Sequence, residues 1–212
     1  MKLYVYDHCP FCVRARMPFG LKAIPFEMVV LPNDDEATPI GMIGRKMLPI
    51  LEDDQGVLGE SLAIVAKLDA LGGPRLFDGA PATDIAAWLA RWDPLINDLV
   101  IPRTPDPVYA EFRGAASRAY FTAKKEARFG AFDGLLARTE EFKAALSPAL
   151  DQLAPILPDP EHPGIDDIVL FPVLRSLTIM PDLAFPGPVA AYLQRMSERA
   201  GVPLVTALRA MV

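Results

Sequence analysis

Cysteine is scarce in this chain: two residues in 212, Cys9 and Cys12. So few thiols exclude a scaffold held together by disulfides. Histidine is equally scarce: beside the two thiols, the remaining candidates for a four-ligand metal site are only His8 and His162 plus carboxylates, and no metal is expected. Positive charge is in deficit, 21 Lys and Arg against 27 Asp and Glu for a net charge of -6. That balance argues against a nucleic-acid partner, which a basic footprint would announce. No stretch approaches 18 uninterrupted apolar residues, so no membrane span or membrane partner is expected. The opening MKLYVYDHCP has one Lys and neither an apolar h-region nor a small-residue cleavage site. No secretory signal is read there, and a cytoplasmic location is expected. With 51% hydrophobic and 23% charged residues, the composition is that of a soluble globular protein with one large core or two modest ones.

Both thiols lie in one short stretch, YDHCPFCVRAR, separated by Pro10 and Phe11. A bridge closing so short a loop restricts the unfolded chain by only roughly 2 kcal/mol, so a structural staple is a poor reading. A vicinal CxxC in a reducing compartment is instead catalytic or metal-binding. The flanking pattern favours catalysis. KLYVY (2–6) reads as a strand, and Pro10 suits the first position of a helix running to about Lys22. Cys9 then falls at or beside the helix N-cap, near unpaired N–H groups and the positive end of the dipole, which stabilise a thiolate. An unperturbed thiol is only about 3% ionised at neutral pH. Cys12, one turn deeper, gains less and is better shielded. The roles follow: Cys9 attacks and Cys12 resolves, with His8 and Pro10 as modulating neighbours.

Along the chain, Val13, Met17 and Leu21 share one side of this first helix, with Arg14 and Arg16 facing elsewhere and Pro18 bending it. FEMVVL (26–31) reads as a strand of a sheet covered on both faces. DDEATPIGMIG reads as a short helix ended by Gly, LPILED and GVL as a hairpin, and SLAIVAKLDAL (61–71) as a helix. The order is βαβαββα, α/β in class, over residues 1–72. GGPRLFDGAP breaks the pattern, giving a linker at 73–80. Residues 81–212 then read as an all-α bundle, in which Pro172 should kink its helix.

Four stretches, YDHCPFCVRARM, KMLPIL, GESLAIV and DDIVLFPVLRSLT, together resemble the glutaredoxins, and among them the larger glutaredoxin 2 type. That resemblance covers nearly the whole chain. It implies a thioredoxin-like domain joined to a helical domain, the glutathione-transferase-like architecture. It also implies a glutathione-dependent thiol–disulfide oxidoreductase that reduces protein disulfides and glutathione mixed disulfides. The implied partners are glutathione, as reductant and co-substrate, and disulfide-containing or glutathionylated proteins; a monomer is expected. A cis Leu48–Pro49 bond is implied beside the cysteines, leaving the Leu48 backbone to pair with substrate. Ser61 and the N–H groups of its helix would hold the γ-glutamyl carboxylate of glutathione, Glu60 its amino group, and Arg45 and Lys46 its glycyl carboxylate, with Phe11 beside them. The chain departs from the commoner motif in having Phe11 where Tyr is usual, and in carrying Pro18.

Each of these residues has a plainer reading. Glu60 and Ser61 could simply cap the following helix, Arg45 and Lys46 could be solvated loop charges, and His8 an exposed loop residue. Trp88 and Trp92, at i and i+4, read as core, KKEAR (124–128) as a solvated helix face, and Asp166 or Asp167 as a helix cap. Two rival functions are a glutathione transferase conjugating glutathione to electrophiles, and a non-catalytic, redox-sensing relative of the chloride intracellular channel type. Against the first, Cys9 stands where a Tyr or Ser would activate glutathione. Against insertion by the second, residues 24–46 contain no clear apolar span.

Overall fold

The computed structural model of the chain describes residues 1–210. The last two positions of the expected 81–212 helical segment therefore lie outside the described residues. The first half alternates strand and helix: β1 (Lys2–Val5), α1 (Pro10–Leu21), β2 (Glu27–Val30), α2 (Ala37–Ile43), β3 (Ile50–Asp53), β4 (Gly56–Gly59) and α3 (Ser61–Asp69). The strands form one sheet in the order β2-β1-β3-β4. β1 runs parallel to β2, with Leu3 opposite Met28, and antiparallel to β3, with Leu3 opposite Leu51. The tight β3–β4 hairpin needs positive φ at Gly56 (φ 119), a conformation that costs glycine little.

The FEMVVL strand departs from the doubly covered reading. β2 is one edge of the sheet and Met28 is 41% exposed. Continuous apolar character cannot tell a central strand from an edge strand, because both satisfy the same pattern.

Helix α1 is apolar on two sides. Cys12, Ala15 and Phe19 join Leu3, Val5, Ile50, Leu51, Ile64 and Leu68 in the core under the sheet. Val13 and Met17 face the other way, into the core of the helical half. Arg16, which faces away from the Val13, Met17 and Leu21 side as read, is nonetheless buried and paired with Asp7. A helix sandwiched between two cores has little solvent face left, so a basic residue on it must find a partner. The helix continues through Pro18, whose missing N–H forfeits one bond.

Residues 73–80 carry neither helix nor strand, but the segment is tied down. The buried Asp69 carboxylate accepts the N–H groups of Leu76 (3.0 Å) and Phe77 (3.1 Å), and Lys22 pairs with it at 3.2 Å. The helical half follows with α4 (Thr83–Val100), α5 (Ala115–Phe129), α6 (Phe132–Ala137), α7 (Thr139–Leu153), α8 (Ile165–Leu177), α9 (Gly187–Ala200) and α10 (Val205–Arg209). α1 packs on α3 within its own half and on α8 and α9 across the junction. Trp88 is core, its indole N–H donating to the Ala149 carbonyl at 2.8 Å, while Trp92 is only partly buried against that core. Asp167 serves the start of α8 by accepting the Gly164 N–H (2.8 Å) from the third helical position, and Asp166 accepts the Ala82 N–H (2.7 Å). α8 runs unbroken through Pro172. Among the described residues, no helix is long and apolar enough to cross a membrane.

Candidate active site

The chain leaves β1, turns through Tyr6, Asp7 and His8, and enters α1 at Cys9. The Cys9 N–H closes that turn on the Tyr6 carbonyl (3.2 Å), and the Cys9 carbonyl accepts the Val13 N–H (2.9 Å). Cys9 is the N-cap, in extended geometry (φ -74, ψ 121), and Pro10 follows at the first helical position. Both cysteines are free thiols, Cys9 half-buried and Cys12 fully buried. Their environments push them apart. Cys9 is lowered to about 6, first by the hydrogen bond from the Cys12 thiol and then by the charge of His8 and the N–H groups of Cys12 and Phe11, against the opposing effect of burial. Cys12 is raised, chiefly by burial and by the same bond and charge at Cys9, although its sulfur receives the Tyr6 N–H at 3.4 Å. At neutral pH this leaves Cys9 about 90% thiolate and Cys12 protonated. The arrangement supplies an anionic nucleophile with a protonated thiol one turn below it.

Two cavities open beside this helix start. The smaller, about 210 Å³, is lined by Phe11, Met47, Leu48, Pro49, Glu60 and Ser61. The Leu48–Pro49 bond is cis. Five of the expected residues therefore share one cavity. Ser61 departs from the N-cap reading: it is the first residue of α3, and the N-cap is Glu60, held at φ 70. Neither provides a side-chain cap, so the first-turn N–H groups of α3 face this region without one. The buried Ser61 hydroxyl instead accepts Arg14 Nη1 at 3.5 Å.

Arg45 and Lys46 part company. Arg45 reaches Glu60 at 3.0 Å on the exposed rim. Lys46 turns toward the helical half, donating to the Asn33 carbonyl (2.6 Å) with its ammonium 3.6 Å from the centre of the Tyr120 ring. Its burial there lowers it to about 8. Neither Arg45 nor Lys46 lines the smaller cavity.

The larger cavity, about 600 Å³, lies between the start of α1 and helices α4, α5 and α8; His8, Cys9, Pro10, Phe11 and Arg14 form its near wall. Three of its features were not visible in the sequence. Arg14, expected to face away, lies against the Phe11 ring (5.2 Å), and its Nε is buried without a partner. Lys125, placed on a solvated face by the KKEAR reading, is half-buried over Phe121 and Phe129 and lines the cavity with Cys9. Glu111 holds His8, accepting the backbone N–H at 2.9 Å and the imidazole Nδ1 at 2.8 Å. His8 is thus no exposed loop residue: it stacks on Tyr6 and is enclosed by Tyr109, Phe112 and Phe121. Glu111 lies 103 residues from His8 and Lys125 further along still, and no local pattern links them to the motif. Among the described residues, no group of three or more His, Cys, Asp or Glu side chains is arranged to hold a metal ion.

Comparison with known proteins supplies the remaining observations. The family model for the C-terminal domain of glutaredoxin 2 matches residues 84–208, and that for the N-terminal domain of glutathione S-transferases matches residues 3–75. Glutaredoxin 2 of Escherichia coli K12 is 40% identical, the match covering 98% of this chain and 99% of that protein. The crystal structure of glutaredoxin 2 from Salmonella typhimurium in complex with glutathione superposes with a TM-score of 0.93 at 42% identity, covering 98% of this chain and 97% of that one. A glutathione transferase from Phanerochaete chrysosporium, 17% identical with a TM-score of 0.66, covering 93% of this chain and 96% of its own, shares the fold.

Proposed function

Because the chain belongs to the glutaredoxin 2 family, and is therefore a glutathione-dependent oxidoreductase, we propose that it reduces protein disulfides and glutathione mixed disulfides through Cys9 and Cys12. The Cys9 thiolate attacks one sulfur of the substrate disulfide, forming a mixed disulfide and expelling the other sulfur as a thiolate. Cys12 then loses its proton and attacks the Cys9 sulfur. The substrate leaves as a thiol and the Cys9–Cys12 disulfide remains. A glutathione thiolate opens that disulfide to Cys9–glutathione and the Cys12 thiol, and a second glutathione releases oxidised glutathione and the Cys9 thiolate. On a glutathionylated protein, the Cys9–glutathione intermediate forms directly and Cys12 is not needed.

The observation that carries this reading is the asymmetry of the pair: Cys9 at the helix N-cap lowered to about 6, Cys12 buried beneath it and raised. The smaller cavity supports a place for the glutathione moiety, with the first-turn N–H groups of α3 and Ser61 toward its γ-glutamyl carboxylate, Leu48 and Pro49 along its backbone, and Phe11 against it. Glu60 would take the amino group and Arg45 the glycyl carboxylate. Lys46, engaged with Asn33 and Tyr120, serves the contact between halves instead. We read the protein as two domains, 1–72 and 81–212 about a 73–80 connection. We read it also as a monomer of the cytoplasm, where a lone CxxC dithiol is kept reducible.

The test is a pair of variants. Cys9→Ser should abolish both activities, and Cys12→Ser only protein-disulfide reduction. A Cys12→Ser enzyme as inactive as Cys9→Ser on a glutathione mixed disulfide would overturn the assignment. Robust conjugation of glutathione to a chlorodinitrobenzene-type electrophile would favour the transferase reading.

A further inference from the structure

We propose that Glu111, contributed by the helical half, is a positioning residue for the thiol chemistry: it fixes His8 with Nδ1 protonated and so sustains a positive charge beside Cys9. The inference rests on Cys9 being the nucleophile. Glu111 sits in the 3-10 turn Ala110–Phe112, and its side chain has no exposed surface. One oxygen, Oε1, accepts both the His8 backbone N–H and ring Nδ1, at 2.9 and 2.8 Å, while Oε2 is buried with no partner. A carboxylate has no proton to donate, so the proton shared between Glu111 and the ring belongs to Nδ1.

A carboxylate buried to this degree needs a countercharge. Among the described residues, His8 is the one basic group in ion-pairing distance of it. The ring cannot swing away, because Tyr6 stacks on it at 5.8 Å and Phe112 and Phe121 close on it at 5.0 and 5.4 Å. Only 14% of the His8 side chain is exposed, and His8 lines the same cavity as Cys9. The pair therefore acts as an oriented couple, with its positive member next to Cys9 and its negative member behind. That orientation bears on both sulfurs: the His8 charge lowers Cys9, whereas the Glu111 charge raises Cys12. The other groups facing Cys9 are Cys12 and Arg14 from α1 and Lys125 from α5. Those near His8 are Asp7, Tyr6 and Tyr109.

The experiment is iodoacetamide alkylation of the reduced full-length protein across pH, with the modified cysteine identified by mass. Glu111→Gln keeps an oxygen for both His8 donors and removes only the charge, so the Cys9 midpoint should rise by about one pH unit. His8→Asn should raise it similarly, and Glu111→Gln added to His8→Asn should move it no further. An unchanged midpoint in His8→Asn overturns the proposal whether or not Glu111→Gln folds. So does an equal shift from Glu111→Gln with and without His8. A wild-type Cys9 midpoint near pH 8.5 would instead refute the nucleophile itself.

Discussion

Replacing Cys12 by Ala should do more than remove the resolving thiol: it should make Cys9 a more basic, less ionised nucleophile. The Cys12 hydrogen bond is the largest of the influences holding Cys9 at about 6. Against an unperturbed thiol near 8.5, that position represents roughly 3 kcal/mol in favour of the thiolate. A hydrogen bond to a charged group contributes roughly 1.5–3 kcal/mol, so its loss should move the Cys9 midpoint up by about one to two pH units. At pH 6.5 and a midpoint near 7.5, the thiolate fraction falls about eightfold. Above pH 9, where both forms are ionised, the order should reverse. A more basic thiolate attacks faster, by roughly three- to eightfold for this shift.

Cys12→Ser is the control, because a hydroxyl still donates. Its midpoint should stay within about half a unit of the wild type. Rates of iodoacetamide alkylation at Cys9, followed from pH 4 to 10 in all three proteins, separate these outcomes. A Cys12→Ala midpoint indistinguishable from wild type would refute the reasoning, and would assign the thiolate to His8 and the helix N–H groups instead. Equal shifts in the Ala and Ser variants would show that the buried sulfur, rather than its donated bond, is what matters.

Three further outcomes follow from the same geometry. Ser61→Ala should weaken glutathione-dependent turnover about tenfold or more and leave reduction by dithiothreitol nearly unchanged. Because Ser61 is not the N-cap of α3, its melting temperature should hardly move; equal losses with both reductants would make Ser61 merely structural. The reduced protein should gain stability as pH rises from about 6 toward 8, below the range where the raised Cys12 acts in the opposite sense. In that window the unfolded Cys9 still binds a proton that the folded state, with its lowered value of about 6, has already released. Urea melts of wild type and Cys9→Ser should show the slope in the first and not the second; a slope common to both would assign it to other groups. Finally, a Cβ built at Gly20 would lie 2.1 Å from the Ala200 carbonyl oxygen. Gly20→Ala must therefore separate α1 from α9, at a cost of roughly 1–3 kcal/mol; a denaturation midpoint matching wild type would contradict that close approach.

The motif and its helix were legible because their signals are local. Pro10 after Cys9 predicts a helix start, and Gly44 at φ 75 ends α2 where a terminal glycine was read. Most of the differences involve surfaces meeting at a distance. β2 looks like a buried strand because its partner is a matter of sheet order, not of composition. The burial of Arg16 is not legible because the pattern shows one apolar stripe on α1 where there are two. Ser61 looks like a cap because Ser often is one, but Glu60 takes that place with positive φ. Lys46, one residue from Arg45, turns the opposite way because Tyr120 and Asn33 offer it a site.

The same reasoning bears on why a helical half accompanies so small a redox unit. Asp7, His8 and Cys9 are consecutive, and the first two are held from outside the sheet half. The buried Arg175 of α8 donates to the Asp7 carbonyl (2.7 Å) and carboxylate (3.1 Å), and to the Pro203 carbonyl (2.7 Å). A buried ion pair of this kind is weak grounds for stability, because desolvation offsets its attraction. Its planar fork does impose geometry, fixing both a backbone and a side-chain oxygen at one position. Glu111 does the same for His8 one residue later. With two successive residues clamped, the direction in which the chain enters α1 is set by α8 and the Ala110–Phe112 turn as much as by β1. A sheet half on its own would keep the CPFC spacing. It would also expose Val13, Met17 and Val65, which belong to the other core, and it would leave Asp7 without Arg175 and His8 without its carboxylate. The helical half is therefore part of the device that places Cys9, whatever it adds in choosing substrates.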